Sequence, residues 1–116
     1  MRRAYIAVGW LLVAAIAWLS LTPSPPTIDV EQSDKAGHLF AYGLVMFWFA
    51  QLYAARAPRI AYAALFIAMG VGLEFMQRWL GYRTFEVFDM FADSAGVLLG
   101  WALALAFPKS LPRLSR

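Results

Sequence analysis

Apolar residues fall in four long runs along this chain, and short polar segments separate them. The runs cover residues 5–21 (YIAVGWLLVAAIAWLSL), 36–55, 60–80 and 87–107. Each approaches the length of roughly 17–25 residues that an α-helix needs to cross a bilayer, with the first at the lower limit. The runs are too long for barrel strands and lack their period-two alternation. Inside lipid only helices or closed barrels satisfy the backbone. The pattern therefore predicts an all-α fold: one domain, 1–116, forming a polytopic membrane bundle of four transmembrane helices. Pro23, Pro25 and Pro26 close the first run, since proline cannot continue a helix. Arg56 and Pro58 close the second, Gly81 caps the third, and Pro108 and Lys109 close the fourth.

Charge gives this bundle two sides. All seven carboxylates (Asp29, Glu31, Asp34, Glu74, Glu86, Asp89 and Asp93) fall on one predicted side or at its helix ends. Seven of the ten basic residues, Arg2, Arg3, Arg56, Arg59, Lys109, Arg113 and Arg116, fall on the other. Short cytoplasmic segments carry an excess of Lys and Arg. Both termini are thus expected in the cytoplasm of a cell inner membrane, with residues 22–35 and 81–86 facing outward. An alternative reading takes the first run as a cleaved signal peptide behind Met1-Arg2-Arg3. Trp18 and Leu19 interrupt the small-residue cleavage pattern that this requires.

Composition agrees with a membrane location. The chain is 62% hydrophobic and only 15% charged, whereas soluble domains run about 45–50% apolar and roughly 25% charged. The net charge of +3 is dispersed over segments flanking apolar runs, so no nucleic-acid partner is expected. There is no cysteine, which excludes disulfides, thiolate metal sites and cysteine nucleophiles.

Polar residues concentrate at the predicted outer ends. Asp34, Lys35, His38 and Tyr42 open the second run, and Asp34, His38 and Tyr42 share one helix face by their spacing of four. Glu74, Gln77 and Arg78 end the third run, where Glu74 and Arg78 are also four apart and can pair. Asp89, Asp93, Gly96 and Gly100 lie on one stripe of the fourth. At a rise of 1.5 Å per residue, His38 lies about 6 Å along from Asp34, Glu74 about 9 Å below Leu80 and Asp93 about 6 Å below Asp89. Three helices therefore bring an ionisable side chain to similar depth. Such a group at the bilayer centre costs about 2.5–3.5 kcal/mol, so the three are expected to face one another. Gly96 and Gly100 form a small-xxx-small pattern that lets another helix approach closely, within the bundle or between copies.

Three blocks, Ser33-Asp34-Lys35-x-x-His38-x-x-x-Tyr42, Glu74-x-x-Gln77 and Arg83-x-x-Glu86-x-x-Asp89-x-x-Ala92-x-x-x-Gly96, resemble the VanZ-like family of small bacterial integral membrane proteins. The resemblance covers about Ser33 to Gly100. It implies a membrane location and the motif residues, together with a link to resistance against the glycopeptide antibiotic teicoplanin. Family members typically carry Asn where this chain has Asp93.

Three functions fit these residues. In the first, an extracytoplasmic pocket of Asp34, Lys35, His38, Tyr42, Glu74, Gln77, Arg78, Arg83, Asp89 and Asp93 binds the headgroup of a lipid, a cell-envelope precursor or a lipid-like antibiotic. In the second, an intramembrane hydrolase or transferase acts on a lipid phosphate, with His38, Glu74 and Asp93 as catalytic candidates. The third is a structural or assembly subunit of a membrane complex. His38 also suits a plain interhelical hydrogen bond to Glu74 or Asp93, and Asp89 a first-turn acid that complements the helix dipole. A lone histidine without HExxH spacing predicts no metal. Neither Ser33 nor Ser94 sits in a nucleophile elbow, and no glycine-rich phosphate loop predicts a cofactor.

Overall fold

Four α-helices follow one another: α1 (Arg2–Leu21), α2 (Glu31–Leu52), α3 (Arg56–Leu80) and α4 (Val87–Ala106). They belong to a computed structural model that describes residues 2–21, 31–53, 55–80 and 87–107, without the side chains at 2, 20, 21, 31–36, 77 and 87–89. The segments 22–30 and 81–86, which include Arg83, lie outside the described residues.

The helices depart most from the apolar runs in α2 and at the start of α3. α2 begins at Glu31 rather than 36 and ends at Leu52 rather than 55. Nothing between Glu31 and Lys35 is a glycine or proline, so the helix extends back beyond the apolar stretch. α3 begins at Arg56 and takes in Pro58. Proline is tolerated in a first turn, where its missing N–H has no helical acceptor to lose.

The all-α expectation of four helices holds, with 20, 22, 25 and 20 residues in α1 to α4. Among the described residues one helix, α3, is long and apolar enough to cross a membrane by length and composition. The apolar stretches of the other three run Arg3–Leu19, Gly37–Leu52 and Met90–Ala106. These stretches end where the described side chains of each helix end; the helices themselves have 20, 22 and 20 residues, about 30–33 Å at 1.5 Å per residue.

α2 is the central element. It supplies Tyr42, Val45, Met46, Phe49, Ala50 and Leu52 to the buried core. Ala63, Phe66 and Leu73 of α3 and Val97 and Ala104 of α4 complete it. α1 adds partly buried Tyr5, Ile6, Leu12, Val13 and Ile16. α2 packs on all three other helices, whereas α1 and α4 do not touch among the described residues. The cross-section is thus a rhombus, with α2 and α3 on the short diagonal and α1 and α4 at opposite corners. The molecule measures 46 × 24 × 23 Å.

The α2–α4 seam is the tightest. A Cβ added to Gly96 would collide with the Leu39 carbonyl oxygen and lie 3.1 Å from the Gly43 nitrogen. One added to Gly100 would collide with the Gly43 carbonyl oxygen and lie 3.0 Å from the Phe47 nitrogen. All of these neighbours are backbone, so no side-chain rotation makes room. Gly96 and Gly100 therefore spend their bare faces on α2 of the same chain.

At the far end of the bundle, polar side chains close the helix termini. The last carbonyls of a helix have no intrahelical donor. Arg59, in the first turns of α3, donates to the Ala50 oxygen of α2 from Nε (3.1 Å) and Nη2 (2.7 Å), and to the Tyr53 oxygen from Nε (2.9 Å). Gln51 Nε2 donates to the Phe107 oxygen beyond α4, at 2.8 Å. Trp48 Nε1 ties α2 to α1 through the Tyr5 oxygen, at 2.7 Å. Around these contacts Phe49, Tyr62, Phe66 and Trp10 pack ring against ring, with the Phe49–Tyr62 centroids 4.6 Å apart.

The perimeter is apolar. Leu11, Trp18, Phe40, Phe91, Leu105 and Phe107 are strongly exposed, and Trp79 is 84% exposed. Soluble monomers rarely expose contiguous apolar patches beyond a few hundred Å².

Candidate functional site

The site starts from His38, two turns into α2, and Asp93, on the second turn of α4. His38 Nδ1 and Asp93 Oδ1 are 2.7 Å apart, with the side chains 15% and 3% exposed. A carboxylate that accepts from Nδ1–H fixes the imidazole tautomer and ring plane and places the acceptor lone pair on Nε2. His38 is the more exposed partner, so the couple reaches the surface through its imidazole.

Tyr42 lies one turn beyond His38 on the same face. The two rings are parallel, with centroids 6.5 Å apart. Tyr42 is buried, and its hydroxyl lies within electrostatic reach of both Asp93 and Glu74. Glu74 of α3 is 2% exposed. Three helices thus contribute ionisable side chains to one neighbourhood. Burying an ionised group without compensation is costly, and grouping them lets each meet polar partners rather than acyl chains.

Gly70 completes the arrangement from α3, one turn before Glu74. A Cβ there would fall 2.6 Å from Asp93 Oδ2, 2.9 Å from its Cβ and 3.1 Å from its Cγ. Asp93 therefore sits between the imidazole of α2 and the bare backbone of α3.

The other sequence candidates fall as follows. Arg78 is exposed, one turn beyond buried Glu74 on α3. The backbones of Asp34, Lys35, Gln77 and Asp89 are helical, while their side chains lie outside the described residues, as does the whole of Arg83. Among the described residues no group of three His, Asp or Glu side chains could hold a metal ion.

Sequence reasoning missed Gly70, Gly43 and the capping role of Arg59. A glycine inside a helical pattern weakens the helix and usually has a packing reason, which was the available signal for the two glycines. Arg59 gave none, since a basic residue near a predicted membrane boundary already has a sufficient explanation.

Residues 35–108 match the VanZ/LLP1 family, described as VanZ/LLP1. The chain belongs to this family. The VanZ/LLP1 match spans His38, Tyr42, Gly70, Glu74 and Asp93 together with both seam glycines, and α1 precedes it. An uncharacterized protein of the fission yeast Schizosaccharomyces pombe is 35% identical over 107 residues, covering 90% of this chain. The chain spans 62% of that relative's length. No solved structure matches this VanZ/LLP1 protein.

Proposed function

We propose that this protein is a polytopic membrane protein whose His38–Asp93 couple, with Glu74 and Tyr42, binds the headgroup of an amphiphile at the extracytoplasmic face. The observation that carries the reading is the 2.7 Å contact between a partly exposed imidazole and a buried carboxylate at one end of an apolar bundle. Ionisable groups inside membrane segments line ligand or ion paths by default, because leaving them against lipid is costly.

All four helices cross in this reading, with both termini cytoplasmic. The helices, of 20, 22, 25 and 20 residues, have the length that a hydrocarbon core about 30 Å thick requires, and flanking Lys and Arg snorkel to its surfaces. The sorted charges support the orientation, and the apolar perimeter supports the insertion. The bond from Trp48 to the Tyr5 carbonyl supports an α1 that stays with the bundle.

Glu74 and Asp93 offer acceptors to hydroxyl or ammonium groups of the ligand. Lys35, Arg78 and Arg83 supply the cations for a phosphate, since guanidinium forks match phosphate oxygens. A phospholipid and a phosphate-bearing cell-envelope precursor present these groups, while a glycopeptide antibiotic presents hydroxyl and ammonium groups without the phosphate. The similarity to a fungal protein favours an ordinary membrane lipid, a ligand that fungal membranes also contain. The test is lipid retention by protein extracted in mild detergent, read by native mass spectrometry. His38→Ala and Glu74→Ala should each lose the retained lipid while wild-type amounts of protein stay in the membrane. Wild-type retention in both variants ends this reading.

One observation favours a second reading, an intramembrane hydrolase or transferase acting on a lipid phosphate. An imidazole oriented by a carboxylate is a general acid–base arrangement. Purified protein with radiolabelled membrane lipids, with and without divalent metal, decides between the two. Turnover lost in His38→Ala supports the enzyme, and no turnover with any lipid argues against it.

A further inference from the structure

We infer that Gly70 is a positioning residue of the site: its missing side chain holds the Asp93 carboxylate on His38. The inference deepens the headgroup-binding reading and rests on it for its biological meaning only.

The argument is steric. A methyl group at position 70 would lie 2.9 Å from Asp93 Cβ. That atom is fixed to the α4 backbone, so turning the carboxylate cannot relieve the contact. Moving α4 away from α3 cannot relieve it either. On its other side α4 is already backbone to backbone with α2, through Gly96 at Leu39 and Gly100 at Gly43. α4 is therefore clamped between two neighbours, and interiors this dense have no slack to absorb a methyl group. The remaining response is local. The α4 backbone at Asp93 must shift by a few tenths of an ångström to free Cβ, and the carboxylate, crowded at Oδ2 and Cγ as well, must turn with it and carry Oδ1 off the imidazole.

Gly72, two residues further along α3, supplies the contrast. A Cβ there meets nothing within 4 Å. Glycine weakens a helix relative to alanine, yet of these two α3 glycines a neighbour demands small size only at position 70. The demand comes from a buried ionisable side chain rather than from a packing hydrophobe. Gly70 sets where Asp93 points, and Asp93 sets which imidazole nitrogen carries the proton.

The chain contains a single histidine, so histidine-selective 15N labelling reports on His38 alone. The experiment uses the full chain in lipid nanodiscs at neutral pH and reads which ring nitrogen shows one-bond coupling to a proton. Wild type should show a proton held on Nδ1. Gly70→Ala should lose that signature and match Asp93→Ala, while Gly72→Ala should keep it. A wild-type imidazole spectrum in Gly70→Ala overturns the inference, as does a spectrum of Asp93→Ala that retains the Nδ1 proton. If Gly70→Ala does not fold, the double variant Gly70→Ala/Asp93→Gly removes every atom that the methyl group meets on residue 93. Recovery of helix content then places the conflict at Asp93, and failure to recover refutes it. Lipid retention measured on the same samples separates the two ideas. If Gly70→Ala loses the Nδ1 signature and keeps its lipid, headgroup binding through the couple fails and the positioning role stands.

Discussion

Replacing Arg59 tests whether a basic residue that suits a topology signal also holds the fold together. Its guanidinium donates to two carbonyls at the end of α2, at 2.7–3.1 Å. A hydrogen bond to a charged group contributes about 1.5–3 kcal/mol, and a buried acceptor left unsatisfied costs about 1–3 kcal/mol. Ala50, which carries one of the acceptors, is fully buried. A cation near a helix C-terminus adds about 0.3–1 kcal/mol through the macrodipole. Arg59 itself is half-buried, which trims these contributions. Arg59→Ala should therefore destabilise the bundle by about 2–4 kcal/mol on the scale of those terms. Arg59→Lys keeps the charge and loses the planar fork, so it should lose about 1–2 kcal/mol. The assay is unfolding in mixed micelles followed by far-ultraviolet circular dichroism, with a topology reporter fused to the C-terminus. Arg59→Lys should leave the reporter unchanged while lowering the unfolding midpoint. If Arg59→Ala falls within about 0.5 kcal/mol of wild type, the range of ordinary surface changes, the cap contributes nothing and the reasoning fails. If Arg59→Lys equals wild type while Arg59→Ala does not, charge alone suffices and the fork geometry is irrelevant.

Two further perturbations probe the seam and the couple. Gly100→Ala drives a methyl group into the backbone of Gly43 and Phe47 and should cost about 1–3 kcal/mol, the usual range for overpacking. Gly37→Ala meets nothing within 4 Å and should unfold no earlier than wild type in the same assay, so equal midpoints for the two variants would remove the steric account of the seam. Asp93→Asn keeps a carbonyl oxygen for His38 Nδ1–H and should hold both stability and lipid retention near wild type. Asp93→Ala should lose the retention and about 1–3 kcal/mol. A collapse of both properties in Asp93→Asn would show that the negative charge, not the orientation of the ring, is what the site uses.

The helices were legible in the sequence because hydropathy and charge sort along the chain at helical length. Their ends were less so. Pro58 reads as a stop, and in space it is a start, because proline at the head of one helix and the tail of another look alike in one dimension. His38, Tyr42, Glu74 and Asp93 were found because an ionisable group inside an apolar run is conspicuous. Their convergence was expected from depth alone, which left Glu74 and Asp93 equal as partners for His38. The contact of His38 with Asp93 depends on how α4 docks against α2, a lateral relation that spacing does not encode. Gly70 was invisible for the same reason, since its importance lies wholly in the side chain of another helix. The seam glycines were readable as packing devices, and the structure adds that α2 is what they receive.

Beneath the His38–Asp93 couple the bundle axis is filled by Met46, Phe49, Phe66 and Val97, each fully buried. This hydrocarbon stopper has no acid, base or amide to hand a proton or cation onward, and the next buried polar side chain among the described residues is Gln51, at the opposite end. The buried polar side chains among the described residues thus fall into two groups, Glu74 and Asp93 beside His38 and Gln51 at the far end, insulated from each other by this apolar layer.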